Sequence, residues 1–405
     1  MAFGKVENMR KFLFSFVLML MLLPFYGWGT VSDSVRVSLL TCAPGSEIYS
    51  LFGHTALRYE NPAKGEDWVF NYGMFSFNTP NFVMRFVKGE TDYQLGVVPY
   101  RYFEGEYAMR GSSVYQQELN LTPQEKENII RLLEENYRPA NRTYRYNYFY
   151  DNCTTRARDK VEQGIEGKVV YPESEKVCSF RSIVREYTAG HEWSAFGIDL
   201  CLGSEADEPI DERKQMFSPF YMLEFARGAM IHRADTIVPF VKAEKLLLDF
   251  SSKDEEVFEK DEGISWPSPW ACALAWWTLT FVVMSLGIKR GKVYWLWDVL
   301  LFGAQGIGGC IIAFLFFFSV HPTVGSNWML MMLNPLPLFY LPFMVYKAIK
   351  GKKDNFHWIN TVVLTLFIIL MPFIQQKFNP TVLPLALNLL TCSVGHLIIY
   401  NRQKK

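Results

Sequence analysis

Five long apolar segments follow one another near the end of the chain, at about 269–288, 294–320, 329–346, 358–375 and 382–400. Each approaches or exceeds the roughly 20 residues a helix needs to cross the hydrocarbon core of a bilayer. The third holds "NPLPLFYLP", whose prolines imply a kink or close packing against neighbours. The connecting loops set the direction. Lys289, Arg290 and Lys292 follow the first segment, Lys347, Lys350, Lys352 and Lys353 follow the third, and Arg402, Lys404 and Lys405 end the chain. The alternate loops, "HPTVGSN" and "QQKFNP", carry only Lys377. Basic residues collect on the cytoplasmic side, so the end of the chain is expected in the cytoplasm and the region before the first segment outside. Cys272, Cys310 and Cys392 lie within the apolar segments and read as packing residues.

The opening run "MRKFLFSFVLMLMLLPFYGWG" sets Arg10 and Lys11 ahead of an apolar stretch of signal-sequence type. With a leader of bacterial appearance, the outer side is the periplasm and the protein is expected as a multi-pass component of the inner membrane. Three parts result: a signal sequence or N-terminal anchor at 1–29, a periplasmic α+β domain at 30–266, and a polytopic membrane domain at 267–405 with about five transmembrane helices. A formal net charge of +0 offers no basic face for nucleic acid. Asp207, Glu208, Asp211 and Glu212, and the run Lys253 to Glu262, read as solvated surface and a linker. "WPSPW", Trp266 to Trp270, reads as an interfacial aromatic anchor.

Within the outer domain the runs "VRVSLLT", "HTALRYE", "WVFNYGMFSF", "DYQLGVVPY" and "VYQQELNL" are punctuated by Gly, Pro and Asn, the pattern of an antiparallel sheet. Between the third and fourth lies "NTPNFVMRFVKG". Thr79 as cap, Pro80 in the first turn and Gly89 at the stop predict a short helix there. Its stripe of Phe82, Val83, Phe86 and Val87 reads first as core-facing. The alternative is a helix in the membrane interface, with Arg85 and Lys88 towards the headgroups. A second helix is expected from "TPQEKENIIRLLEENY", with Thr122 as cap, Glu125 at the capping-box position and Ile129, Ile130, Leu132 and Leu133 supplying the apolar side.

The stretch "YNYFYDNCTTRARD" then places Cys153 where an aromatic run gives way to a helix capped by Asn152 or Asp151. A cysteine in a first helical turn feels the positive end of the macrodipole and unpaired backbone N–H groups, which favour thiolate. Those N–H groups can also hold the oxyanion of a carbonyl attacked by sulfur. A base is required. Of His54, His191 and His232 in the outer domain, His54 opens a strand behind Gly53, which permits close backbone approach. The lone strand histidine also has a purely structural reading. None of the histidines forms a metal-ligand spacing with another, and no CxxC or other zinc pattern occurs.

An "NC" at a helix start with an upstream strand histidine resembles the circularly permuted branch of the NlpC/P60, papain-like superfamily, to which lecithin–retinol acyltransferase belongs. The order His then Cys reverses papain's, which is permissible because such sites are defined by geometry. More closely, "LLTCAPGSEIYSLFGHTALRY", "FNYGMFSFNTPNF", "KGETDYQLG" and "YNYFYDNCTTRARD" resemble the Lnb-type lipoprotein N-acyltransferases of Bacteroidota. The resemblance implies a permuted papain-like periplasmic domain and transfer of an acyl chain from phospholipid to the α-amine of a diacylglyceryl-cysteine lipoprotein. Phospholipid donor, diacylated lipoprotein acceptor and membrane are the implied partners, with no metal or nucleotide cofactor. It makes Cys153 the nucleophile and His54 its base. The third, imidazole-orienting residue usually lies on an adjoining strand, which points to Asn71, with Asp67 and Tyr72 as alternatives. Asn152 and Tyr72 are candidate oxyanion or substrate contacts. Arg156 and Arg158 are candidates for phosphate, or else salt-bridged surface residues.

Other readings share part of this evidence. The same Cys–His pair would serve a periplasmic amidase or peptidase acting on peptidoglycan, or a phospholipase. A membrane-anchored binding protein with Cys153 buried or disulfide-bonded is the non-enzymatic reading. Cys42, Cys153, Cys178 and Cys201 lie outside, where oxidation occurs. With Cys153 free, Cys178–Cys201 is the expected disulfide and Cys42 a buried thiol. A Cys42–Cys153 pairing would remove the nucleophile.

Overall fold

A computed structural model describes residues 34–45, 47, 50–75, 80–251 and 267–403. The leader at 1–29, the run Lys253 to Glu262, Trp266 and the cap expected at Thr79 lie outside the described residues. The apolar–polar runs of the outer domain pair as an antiparallel sheet containing β1 (Arg36–Cys42), β2 (His54–Asn61), β3 (Glu66–Met74), β4 (Asp92–Pro99), β5 (Val114–Leu119) and β6 (Thr143–Arg145). A strand at Val241–Leu248 returns to the β5 edge, giving the order Val241–Leu248, β5, β1, β2, β3, β4, β6.

Successive residues of a strand point to opposite faces, and in β1 both Leu39 and Leu40 are buried. Leu39, with Leu57, Phe70 and Leu95, packs with Ile129 and Leu133 of helix Pro123–Tyr137 and with Ala157 and Val161 of helix Cys153–Gly164. Leu40, with Ala56, Val69 and Val114, packs with Phe103 and Tyr107 of helix Tyr100–Arg110. The sheet is therefore covered on both faces. Thr122 starts its helix with a reciprocal capping box: its hydroxyl accepts from Glu125 N–H at 3.2 Å and its N–H donates to the Glu125 carboxylate at 2.7 Å.

The short helix, Phe82–Lys88, differs from the core-facing reading. None of its residues is buried, and Val83 is 73% exposed. Its cap is Asn81, in the left-handed conformation, and Gly89 ends it. Arg85 turns to the Glu90 carbonyl and the Asp92 carboxylate. The helix is held instead to the outer end of the second apolar helix. Val320 N–H donates to Lys88 O at 2.8 Å, the Ser319 hydroxyl donates to Val87 O at 2.9 Å, and the His321 ring lies 2.7 Å from Phe86 O.

The C-terminal part forms apolar helices at Pro269–Arg290, Trp295–Phe318, Trp328–Ile349, Asn355–Leu370 and Val382–Gln403. Four are long and apolar enough to cross a membrane; Asn355–Leu370 is shorter. The third is interrupted before Leu336, where Asn334 and Pro335 separate a 3-10 turn from the helix proper, and Pro342 lies inside that helix.

The two loops poor in basic residues both meet the outer domain, as their common side requires. Gly203 N–H donates to Thr323 O at 2.6 Å, and Asn327 donates to Leu200 O at 2.7 Å. Lys377 N–H donates to Asp207 at 3.0 Å, and Asn379 donates to Asp199 at 3.2 Å. Behind these contacts sits Arg181, 1% exposed, whose guanidinium reaches Asp199 and Asp207 and the carbonyls of Leu202 and Gly203. Arg185 shares Asp199 and donates to Lys377 O. Replacing Arg181 by Ala leaves two buried carboxylates without their main cation. We expect a loss of ~3–5 kcal/mol, read as a lowered unfolding temperature of the detergent-purified protein; an unchanged transition would refute the role given to this cluster.

Candidate active site

The aromatic run before Cys153 is anchored by packing. Phe149 stacks on Phe180 at 4.3 Å and meets Phe217 edge-on at 5.2 Å, while Tyr148 meets Phe52 at 5.2 Å. The Asn147 side chain accepts from Phe149 N–H and Tyr150 N–H and turns the chain. Asn152 then starts the helix: its carbonyl oxygen accepts from Thr154 N–H and Thr155 N–H at 2.9 Å each. Both amide protons of Asn152 go to carbonyls, of Tyr148 and Phe217, at 2.8 Å each. This corrects the expectation of Asn152 as an oxyanion donor, because its amide has no proton to spare. Its work is to fix Cys153 as the first residue of the helix. As the first residue of the helix, Cys153 has an N–H with no partner within the helix itself.

His54 reaches the same place from the sheet. It opens β2 opposite Cys42 of β1. Gly53 before it adopts φ 74°, and a Cβ there would lie 2.5 Å from the Cys42 carbonyl oxygen, so a side chain would push the two strands apart. Leu57 pairs with Phe70 across β2 and β3, which puts Asn71 opposite Ala56 and on one face with His54, as diagonal neighbours. The Asn71 side-chain oxygen lies 2.7 Å from His54 Nε2. That oxygen only accepts, so Nε2 carries the hydrogen and Nδ1 is left for the sulfur.

The structure thus brings Cys153, His54 and Asn71 together. His54 and Thr55 N–H lie near enough to the Cys153 sulfur to favour its thiolate, and Thr154, whose hydroxyl bonds that of Thr55 at 3.1 Å, lies 3.8 Å from it. Burial pushes the Cys153 thiol up, but the charge and hydrogen bond of His54 outweigh it and bring it down to about 7. Burial works against the His54 cation, but the facing thiolate, the hydrogen bond to it and Asn71 outweigh this and hold the imidazole above its ordinary value. By contrast, burial drives the Cys42 thiol far above its ordinary range.

The remaining candidates have other partners. Tyr72 is buried on the opposite face of β3, where its hydroxyl donates to Asn136 at 2.7 Å. Asp67 receives two bonds from Arg58. Arg156 forms a two-pronged pair with Asp151 at 2.6 and 2.7 Å and lies over the Tyr144 ring at 3.5 Å. Arg158 bonds Asp159 and Arg213 O. Arg156 and Arg158 thus take the salt-bridged alternative of their two sequence readings, and the Tyr72 hydroxyl is spent on Asn136 rather than turned to the sulfur. The sequence reading missed Thr55, whose signal was its place directly after the histidine.

All seven cysteines are free, which corrects the expected Cys178–Cys201 disulfide. Cys178 packs in the apolar cluster with Phe180 and Phe217, its sulfur 3.7 Å from the Tyr221 hydroxyl, while Cys201 ends the helix Glu192–Cys201.

An outer α+β domain with a thiol–imidazole pair, fastened to apolar helices whose basic loops all point the other way, defines a multi-pass membrane protein with a periplasmic domain. The family description "Lnb N-terminal periplasmic domain" matches residues 29–187, and "Lnb transmembrane domain" matches residues 260–404. The chain belongs to the Lnb family, whose domains suggest a lipoprotein N-acyltransferase-like role. No curated protein and no solved structure matches it.

Because the Cys153 proton is lost around pH 7, alkylation of this residue by iodoacetamide should rise through that pH and level off above it. His54→Ala removes the leading influences that lower the thiol while leaving burial in place, so the midpoint should move up towards the ordinary thiol range. Mass-spectrometric rates at Cys153 between pH 5.5 and 9.5, roughly the window around the ordinary values of both groups, test this; an identical midpoint in the variant would contradict the pairing.

Proposed function

We propose that the protein is a lipoprotein N-acyltransferase that carries the acyl chain on Cys153. The observation that supports this best is a thiol lowered to about 7 beside His54, in a domain held against membrane helices. In the first half-reaction the Cys153 thiolate attacks an ester carbonyl of a phospholipid, and the Cys153 N–H donates to the oxyanion. Collapse breaks the C–O bond; the His54 imidazolium protonates the departing alkoxide, and lysophospholipid leaves an S-acyl cysteine. In the second, the neutral α-amine of a diacylglyceryl-cysteine lipoprotein attacks the thioester. His54 takes the amine proton and returns it to the sulfur as the C–S bond breaks. Asn71 holds the imidazole with Nδ1 towards sulfur throughout. A papain-like, permuted arrangement of the fold is part of this reading.

An aromatic row supports a lipid substrate. Tyr146 lies close enough to Cys153 for their charges to interact. From it the rings run through Tyr93 at 4.1 Å and Phe75 at 4.9 Å to Phe82 at 5.7 Å and Phe86 at 6.1 Å. Phe86 belongs to the helix docked on the second apolar helix, where Val83 and Met84 are exposed. An acyl chain laid along this row would pass from the bilayer to the sulfur without crossing water.

The test is to incubate purified protein with phospholipid carrying a labelled acyl chain and look for a hydroxylamine-sensitive adduct on Cys153. Addition of a diacylated lipopeptide should move the label onto its amine. Cys153→Ala should abolish the adduct, and Asn71→Ala should slow its formation by roughly 10²-fold or more, the lower range for misplacing a general base. Label released only as free fatty acid would favour a phospholipase, and cleavage of muropeptides without lipid label would favour the amidase.

A further inference from the structure

At the other end of the bundle, three chemically distinct donors converge. Asp298, in the first turn of the second apolar helix, is fully buried. Cys392 and His396 stand one turn apart on the fifth helix and are buried against it. His396 Nε2 lies 2.8 Å from Asp298 Oδ1, and the Cys392 sulfur lies 3.5 Å from the same oxygen. One ligand atom from each of the three residues falls within 4.8 Å of the others. The second oxygen, Asp298 Oδ2, is buried with no hydrogen-bond partner among the described residues. A buried carboxylate with an idle oxygen is costly unless a cation or donor meets it. Lys347, one of the basic side chains around the adjoining cavity, is engaged by Tyr340 and Asp354.

We propose that Asp298, Cys392 and His396 bind a divalent transition-metal ion of the zinc class. Thiolate, imidazole and carboxylate together are the donor set that zinc takes in four-coordinate sites. Charge makes the same point. A divalent ion, one thiolate, one carboxylate and a neutral imidazole sum to zero, the balance a low-dielectric site favours. On binding, the Cys392 thiol gives up its proton, His396 ligates through Nε2 and keeps its hydrogen on Nδ1, and Asp298 binds as carboxylate. A cavity of about 390 Å³ adjoins the site, lined by His396, His357, Lys352, Tyr400 and Gln403 among others. It lies at the basic-loop end, so the ion and the water completing its fourth position enter from the cytoplasmic side. The His357 ring stacks on His396 at 3.8 Å and braces it. The ion ties the second helix to the fifth and is independent of the reaction at Cys153.

The experiment is a Co2+ titration of metal-stripped, full-length protein in detergent. One equivalent should bind with the visible bands of tetrahedral Co2+ and a thiolate charge-transfer band in the near ultraviolet, and Zn2+ should displace it. Cys392→Ser should remove the charge-transfer band. His396→Gln should weaken binding by more than the roughly 10–100-fold that loss of an outer-shell partner costs. Cys153→Ser should leave both unchanged. A band that survives Cys392→Ser, disappears in Cys153→Ser, or never forms would overturn the site. Should the variants fail to fold, zinc-edge X-ray absorption of the loaded wild type decides: one sulfur among nitrogen and oxygen ligands supports the proposal, and any other sulfur count refutes it.

Discussion

A single buried guanidinium fixes how the two halves of the molecule meet. Arg181 is held by two carboxylates that also accept from the backbone of Lys377 and the side chain of Asn379. A charge this deep is stable only when its whole donor fork is matched, and Arg181 has carboxylates and carbonyls for each nitrogen. The geometry that satisfies the cation therefore also dictates where the loops between the apolar helices lie. Together with the contacts of Val320 and His321 to the Phe82–Lys88 helix, it gives the outer domain a second point of attachment. Two separated attachments resist rotation where one would permit it.

The thiol's placement results from a similar double constraint. From one side, Asn152 fixes the helix start through four bonds to backbone groups. From the other, the close approach at Gly53 sets the start of β2 and with it His54. The Thr154–Thr55 bond links helix to strand beside the sulfur. Neither element alone would lower the thiol: burial by itself raises it, as at Cys42. Proximity of a cation that is itself held by Asn71 reverses the sign.

The parts legible in the sequence were those carried by local pattern. Strand runs, the Thr122 capping box, the apolar helices and the "NC" helix start depend on residues within a few positions of one another. What escaped depended on distant partners. The stripe in Phe82–Lys88 has helical spacing whether it faces a core or a bilayer, and only the docking of Val320 and His321 decides. Asn152 carried a chemically suitable amide, but spacing could not reveal that Phe217, far along the chain, takes one of its protons. Cys178 and Cys201 obeyed the arithmetic of pairing, yet Cys178 settles in an apolar cluster as a small hydrophobe. Likewise Cys392 read as a packing residue, because the buried carboxylate beside it, Asp298, belongs to another helix.

A domain docked at two points would also constrain how the proposed lipid substrates arrive. If the outer domain does not swing, substrate must move laterally to a fixed opening rather than be lifted by the protein. The exposed apolar residues Val83, Met84 and Phe86 lie on the helix at the attachment, at the membrane-facing end of the row that ends near Cys153. Such residues are costly in water and favourable in an interface, so their exposure is consistent with a helix that rests in lipid. The proposed reaction then needs no carrier or lid. Only the reacting ester has to leave the interface, while its acyl chain stays against aromatic rings throughout the step.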